Sequence, residues 1–284
     1  MNKTLVISDC ELFTDTVKLF VKNDASKFLY KTESLLNFPS ELFQFCKTEN
    51  ISNIILFESD QLKENFIIRQ KKYVNLYDLI SNIKIDKLIT FIDVKSSNFE
   101  NKVLNEDSIF TNNIDMFNTV DKFLFSFNNL INKSKVIDTK CITIFHNELY
   151  GRKQNDSIFS FYLEKFQNAK NNLQTQIEIT EHQSNEYQLT FIDNLIDIVL
   201  FLLYENDKIN KIEKLYWNVG SPEIIKVSDI VHVLSMFFEE IDVTFKGKAA
   251  KKESKFVSTE KFISEFIQYP YIKFNEVVKL ILTA

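Results

Sequence analysis

Ile142-Thr143-Ile144-Phe145-His146-Asn147-Glu148-Leu149-Tyr150-Gly151-Arg152 opens as a short apolar run and closes as a polar turn on a glycine. Together with Cys141 the run is β-branched and aromatic, too short for a helix and without polar alternation, which marks a strand covered on both faces. Toward the N-terminus, similar runs stand at residues 4–7, 28–30, 54–57 and 87–92. Between them apolar residues recur at helical spacing: Leu12, Val17, Phe20 and Val21; Leu76, Leu79, Ile80 and Ile83; Phe123, Phe127, Leu130 and Ile131. Strands alternating with helices imply βαβ units, and strands apolar throughout imply an α/β fold with a doubly wound parallel sheet. Toward the C-terminus, the pattern predicts a helix over 157–168, a strand over 176–180 and a helix over 193–204. A strand over 214–219 follows, ending in Gly220-Ser221-Pro222, and then a helix over 227–238. No linker or repeat interrupts this order. One compact unit is expected, with a smaller C-terminal lobe over the sheet edge where doubly wound folds place ligands.

The chain has 284 residues, 45% of them hydrophobic and 26% charged. It can bury a large core, and disorder, collagen and a small disulfide scaffold are excluded. Its 39 acidic and 34 basic residues give a net charge of −5 with no long run of either sign, which argues against a nucleic-acid binder. The apolar stretch 195–204 is broken by Asp197 and is too short to span a bilayer. Residues 1–10 lack a signal-peptide core, so a cytoplasmic protein is expected. Cys10, Cys46 and Cys141 fit neither a disulfide framework nor a zinc site and read as reduced thiols. His146, His182 and His232 share no metal-ligand spacing, and no metal is expected.

Three glycines and three prolines compare with about 20 and about 14 in an average chain of this length. An AT-rich coding bias, visible in 28 phenylalanines, explains part of this. It does not remove glycines that a backbone needs for positive φ or close ligand approach. The first glycine is Gly151, followed by Gly220 and Gly247.

The residues 142–152 resemble the strand and "R-x-x-N-x-Y-G-P" turn of the extended short-chain dehydrogenase/reductase family, with His146 at the arginine position and Arg152 at the proline. Thr190-Phe191-Ile192-Asp193-Asn194-Leu195-Ile196-Asp197 is similar to the family's "yVdDv" segment. Trp217-Asn218-Val219-Gly220-Ser221 is similar to its "yNvGsG" turn. Within the family, the likeness is to the nucleotide-sugar epimerases, dehydratases and CDP-paratose or CDP-abequose synthases of bacterial surface polysaccharide pathways. It implies a Rossmann-like core over 1–147, with 188–219 returning to it, and a smaller α/β lobe over 148–187 and 220–284. Tyr187 stands where the family usually has arginine, and Asn194 where it usually has an acid.

The resemblance also implies NAD(P) on a glycine-rich turn after strand one. Here that turn reads Ser8-Asp9-Cys10-Glu11-Leu12-Phe13-Thr14, with Ser8, Glu11 and Thr14 at the glycine positions. Asp9, Glu11 and, at the end of the third strand, Glu58 would repel a pyrophosphate. An ordinary βα turn capped by Ser8 or Asp9 is the expectation; no acidic residue stands at the second strand's tip to hold a ribose, although Lys31 there could meet a phosphate. The family's Tyr-x-x-x-Lys pair falls on Asn118 and Lys122; Lys122 is retained, but an amide has no proton to give. Asn105-Glu106-Asp107 supports this register. The serine partner falls at Asp93 or Val94, with Ser96 and Ser97 nearby. Lys246, Lys248, Lys251 and Lys252 read as a solvated loop and Trp217 as core.

No bound cofactor is expected, and NAD(P) belongs to the alternative. The reading is a pseudoenzyme that binds a nucleotide sugar or a pathway protein; the alternative is a diverged NAD(P)-dependent epimerase, dehydratase or reductase. Substrate-cleft candidates are His146, Tyr150, Arg152, Asp193 and Asn218. If bulky phenylalanines close that cleft, an interaction module is the better description. The family often dimerises through two long helices, which correspond here to residues 62–85 and 118–135.

Overall fold

The computed structural model describes residues 3–58, 66–94, 103–106, 119–134, 137–152, 157–247, 256–266 and 271–283. Six strands build one parallel sheet: β1 (Lys3–Ile7), β2 (Phe28–Lys31), β3 (Ile51–Leu56), β4 (Lys87–Asp93), β6 (Lys140–His146) and β11 (Tyr216–Val219), in the spatial order β2-β1-β3-β4-β6-β11. β1 lies between β2 and β3, both in parallel register, and Val6 faces Tyr30 on one side and Ile55 on the other. The inner strands are apolar because both of their faces are covered: Leu5, Ile7, Ile54, Ile55, Leu88, Ile89, Ile142 and Ile144 are buried. Trp217 is fully buried in β11, as the sequence predicts.

The strand order differs from that of the common dinucleotide-binding sheet. The order commonly associated with that ligand places a third strand outside β2. Here residues 32–50 hold a 3-10 turn (Glu33–Asn37) and α2 (Pro39–Glu49), so the chain passes from β2 to β3 without that strand. Pro39 sits in the first turn of α2, and Asn50 ends it with φ 55°. β2 is therefore an edge strand, and the order reverses between β1 and β3.

α1 (Glu11–Phe20) and α3 (Phe66–Asn82) cover the sheet together with the Thr119–Lys133 helix, on which Phe127 meets Tyr73 and Tyr77 of α3. The last two helices lie within residues 62–85 and 118–135, of which 62–65, 118 and 135 lie outside the described residues. The expected capping of α1 is corrected: Cys10 is its N-cap residue and no side chain caps it. Ser8 and Asp9 lie outside the helix because Ser8 Nα still belongs to the sheet ladder, donating to Lys31 O at 3.0 Å.

The chain divides into two compact units: 1–99, 106–145 and 196–217 in the first, and 100–105, 146–195 and 218–284 in the second. In the second unit, four short strand pairs replace a continuous sheet. β5 (Val103–Leu104) pairs with β14 (Phe256–Val257), β7 (Leu149–Tyr150) with β10 (Thr190–Phe191), β8 (Gln176–Ile179) with β13 (Asp242–Phe245), and β9 (Glu186–Tyr187) with β12 (Ile225–Lys226). The Ile158–Asn171 helix starts at Ser157, whose Oγ accepts from Ser160 N at 3.1 Å. Among the described residues no helix is long and apolar enough to cross a membrane.

Candidate functional site

A doubly wound sheet offers its ligand crevice beside the strand ends at the order reversal, here between β1 and β3. In the first unit these ends are occupied by the protein's own side chains. Ser8 Oγ accepts from Cys10 N at 3.0 Å, which consumes an amide that a phosphate would otherwise use. Asp9 Oδ1 accepts from Glu33 N at 3.3 Å and so ties the β1 turn to the tip of β2. The Glu33 carboxylate is buried, with Lys72 Nζ from α3 at 3.7 Å and equally buried. Tyr73 donates to Glu58 at the end of β3. Phe13, third residue of α1, stacks on Phe57 at 4.3 Å between ring centroids and meets Phe91 edge-on at 5.3 Å; all three rings are buried.

This turn is not the open glycine cradle that the resemblance implies for a pyrophosphate. Where the resemblance puts Ser8, Glu11 and Thr14 in place of glycines, the Ser8 side chain folds back onto the turn and Glu11 stands in the first turn of α1. A carboxylate about 4 Å from a phosphate costs about 4 kcal/mol at an effective dielectric near 20. Glu11, in the first turn of α1, and Glu58, after β3, put carboxylates on this end of the sheet. Lys31 sits 4.6 Å above the Phe45 ring centroid, committed to α2.

Asn118, Ser96 and Ser97 lie outside the described residues, and so does the Lys122 side chain, although its backbone belongs to the Thr119–Lys133 helix. Asp93 ends β4 and Val94 is buried. Asn105 and Glu106 are described and Asp107 is not; Glu106 is buried.

In the second unit the strand pairing brings three of the five cleft candidates together. β7 and β10 align Tyr150 with Phe191. Arg152 Nη2 lies 2.8 Å from Asp193 Oδ2. Burial pushes the Asp193 carboxyl up, and Arg152 offsets part of the rise. Tyr150 does not line an open cleft. Its ring is buried among Phe159, Phe191 and Phe274, with centroids 5.3, 5.6 and 5.8 Å away, and burial raises its phenol well above the usual tyrosine value. Phenylalanines thus close the space at this residue.

His146 and Asn218 are buried and used internally: His146 Nδ1 lies 2.8 Å from Asn147 O, and Asn218 Nδ2 donates to Leu104 O at 2.8 Å. His182 Nδ1 accepts from Ser184 N at 3.1 Å and His232 is exposed. Among the described residues no three His, Cys, Asp or Glu side chains are grouped to hold a metal. Lys246 pairs with Glu178; Lys248, Lys251 and Lys252 lie outside the described residues. Tyr187, at the family's arginine position, donates to Glu181, which also accepts from Tyr162 at 2.7 Å and Asn185 at 2.9 Å. The three cysteines are free thiols, and burial raises Cys46 to about 12.

The residue that sequence reading missed is Gln188. Its Nε2 donates to Ser221 O at 2.6 Å and Val257 O at 3.0 Å, and its Oε1 accepts from Val257 N at 2.7 Å and from Asn147. All four hydrogen-bonding positions of the amide are used. The one signal for it is a polar residue immediately before the largely apolar segment Leu189-Thr190-Phe191-Ile192.

No family model and no curated protein matches the sequence. Solved structures share the fold. A GDP-L-fucose synthetase from Naegleria fowleri aligns with TM-score 0.81 at 12% identity, over 99% of this chain and 92% of that one. A GDP-mannoheptose C4 reductase from Campylobacter jejuni, solved with NADP bound, gives 0.78 at 15% identity over 99% and 98%. A putative epimerase from Burkholderia cenocepacia gives 0.74 at 12% over 99% and 99%. The chain therefore shares the Rossmann-like α/β fold of these proteins.

Proposed function

We propose that this chain is a non-catalytic protein on a nucleotide-sugar reductase or epimerase fold, acting as a binding or scaffold partner in nucleotide-sugar and surface polysaccharide synthesis without NAD(P). The observation that carries the reading is the β1–α1 turn closed on itself, with Ser8 on the Cys10 amide and Asp9 on the Glu33 amide. A dinucleotide would have to break both bonds and approach Glu11 and Glu58. Loss of the tyrosine at Asn118 agrees with this, since an amide cannot serve as the general acid or base. In this reading a partner docks on α3 and the Thr119–Lys133 helix, where Ile67, Val74 and Leu130 are exposed.

A second reading, an NADP-dependent reductase or epimerase, is favoured by structures of the same fold solved with NADP. Calorimetry and thermal denaturation with NADP, NADPH and NAD at 1 mM separate the two. A ligand at 100 times its dissociation constant stabilises a fold by about 2.7 kcal/mol. The expected result is no shift with any of the three. Micromolar binding of NADP(H), or a turnover lost in Lys122→Ala, establishes the second reading and ends the first.

A further inference from the structure

The second unit contains a small cavity of about 180 Å³ lined by Gly151, Arg152, Ser160, Leu163, Gln167, Ile281 and Leu282. Arg152 is one of only two arginines among 34 basic residues of the chain, and it is placed with care. The buried Asp193 carboxylate holds its Nη2 at 2.8 Å while the side chain stays 42% exposed. Asp193 is the sole charged partner of Arg152 among the described residues. A guanidinium carries five N–H donors in a fixed fork, so pairing one nitrogen with Asp193 leaves donors over, and Arg152 itself lines the cavity. Gln167 adds an amide to that wall. Ser160 Oγ is already engaged with Ser157; the lining is mainly polar, and Leu163, Ile281 and Leu282 supply its smaller, apolar part.

Size, charge and polarity restrict the occupant. At about 30 Å³ per water, the cavity holds about six water-sized groups, well short of the roughly 300 Å³ where drug-sized pockets begin. A nucleotide sugar does not fit. The Asp193 carboxylate beside Arg152 cancels much of the cation's charge, which disfavours a dianion and leaves directional N–H donors for a single carboxylate. The apolar side formed by Leu163, Ile281 and Leu282 suits a short alkyl chain. We infer that this cavity is a site for a short-chain monocarboxylate of about six heavy atoms, bound through its carboxylate to Arg152 with its alkyl end against Leu163, Ile281 and Leu282. All of its residues belong to the second unit, so it stands or falls separately from the cofactor reading.

The test is a titration of the full chain at pH 7 and constant ionic strength with sodium butyrate, sodium phosphate and sodium chloride. Backbone and side-chain amide shifts of Gly151, Arg152 and Gln167 are followed by NMR. Saturable shifts with butyrate alone are expected. Arg152→Gln should weaken them by about tenfold or more, the range for losing a charge-assisted hydrogen bond, and Leu163→Asn should also weaken butyrate binding. Arg152→Gln also leaves the buried Asp193 carboxylate without its cation, so the remaining amide spectrum checks that the variant is folded, and Leu163→Asn tests the site with the Arg152–Asp193 pair intact. Non-saturable butyrate shifts, equal binding of phosphate, or unchanged binding in a folded Arg152→Gln protein each overturn the assignment.

Discussion

Gln188 concentrates four hydrogen bonds on one buried amide, joining the 146–147 turn, the Gly220-Ser221 turn and β14. Gly220 is required beside it because a Cβ there would lie 2.7 Å from Val257 Cγ2 and 3.3 Å from the Gln188 amide. Gln188→Leu keeps the approximate volume but leaves Val257 N–H, two carbonyls and the Asn147 amide without their partner. Each buried orphan costs about 1–3 kcal/mol, so urea denaturation should show a loss of roughly 3 kcal/mol or more. A loss under about 1 kcal/mol would mean that water satisfies these groups. None of this was legible in the sequence: glutamine is ordinarily a surface residue, and its value here depends on three distant segments meeting. The Arg152–Asp193 pair was half legible, because each residue lies in a recognisable segment, but the pairing needs β7 beside β10.

At the scale of elements, the shortage of glycine is met by having few positions that demand it. Among the described residues no glycine has positive φ, and the non-glycine residues that do are Asn50 and Leu173. Asn50 is a tolerated choice at the end of α2. Leu173 is not: it follows the Ile158–Asn171 helix with φ 55° and its side chain is 90% exposed. Its N–H donates to Lys170 O and that of Gln174 to Ala169 O, the hydrogen-bonding pattern of a left-handed helix end. The leucine bears the strain of that conformation without packing in return. Leu173→Gly should therefore stabilise the protein by about 1 kcal/mol, the scale of the left-handed penalty, and raise Tm by about 2–4 °C. An unchanged or lower Tm would show that backbone freedom in the unfolded glycine variant outweighs the relief. The helices themselves were readable from apolar spacing; their ends shifted by a few residues because caps and local hydrogen bonds set them.

At the scale of the molecule, Lys87 gives global stability a pH dependence. It opens β4, is buried, and its Nζ donates to Leu202 O and Leu203 O at 2.7 Å each, at the end of the Ile192–Tyr204 helix. Burial lowers its pKa from 10.5 to about 8, with Glu205 and Asp86 acting weakly in the other direction. Between those two values the unfolded chain holds a proton that the folded chain has released, so stability from this group rises with pH over roughly pH 8 to 10.5. Tyr30, raised by burial to about 12, acts oppositely above pH 10, because the unfolded phenol ionises first. Denaturation of wild type and Lys87→Met at pH 7, 8, 9 and 10 should show wild type gaining on the variant from pH 8 to 10. A constant difference would mean that the two carbonyls hold the ammonium charged throughout.

The sequence by itself determined the α/β class, the strands of the parallel sheet, the buried Trp217 and the departure of Ser8, Glu11 and Thr14 from a glycine-rich turn. These follow from local spacing and residue type, which act over a few neighbouring positions. Tertiary structure alone decided that Ser8 and Asp9 close the β1 turn, that among the described residues no strand lies outside β2, that phenylalanines seal Tyr150, and that Arg152 borders a cavity. Each depends on side chains from segments tens of residues apart being brought within a few ångströms, and such contacts leave no periodic trace along the chain.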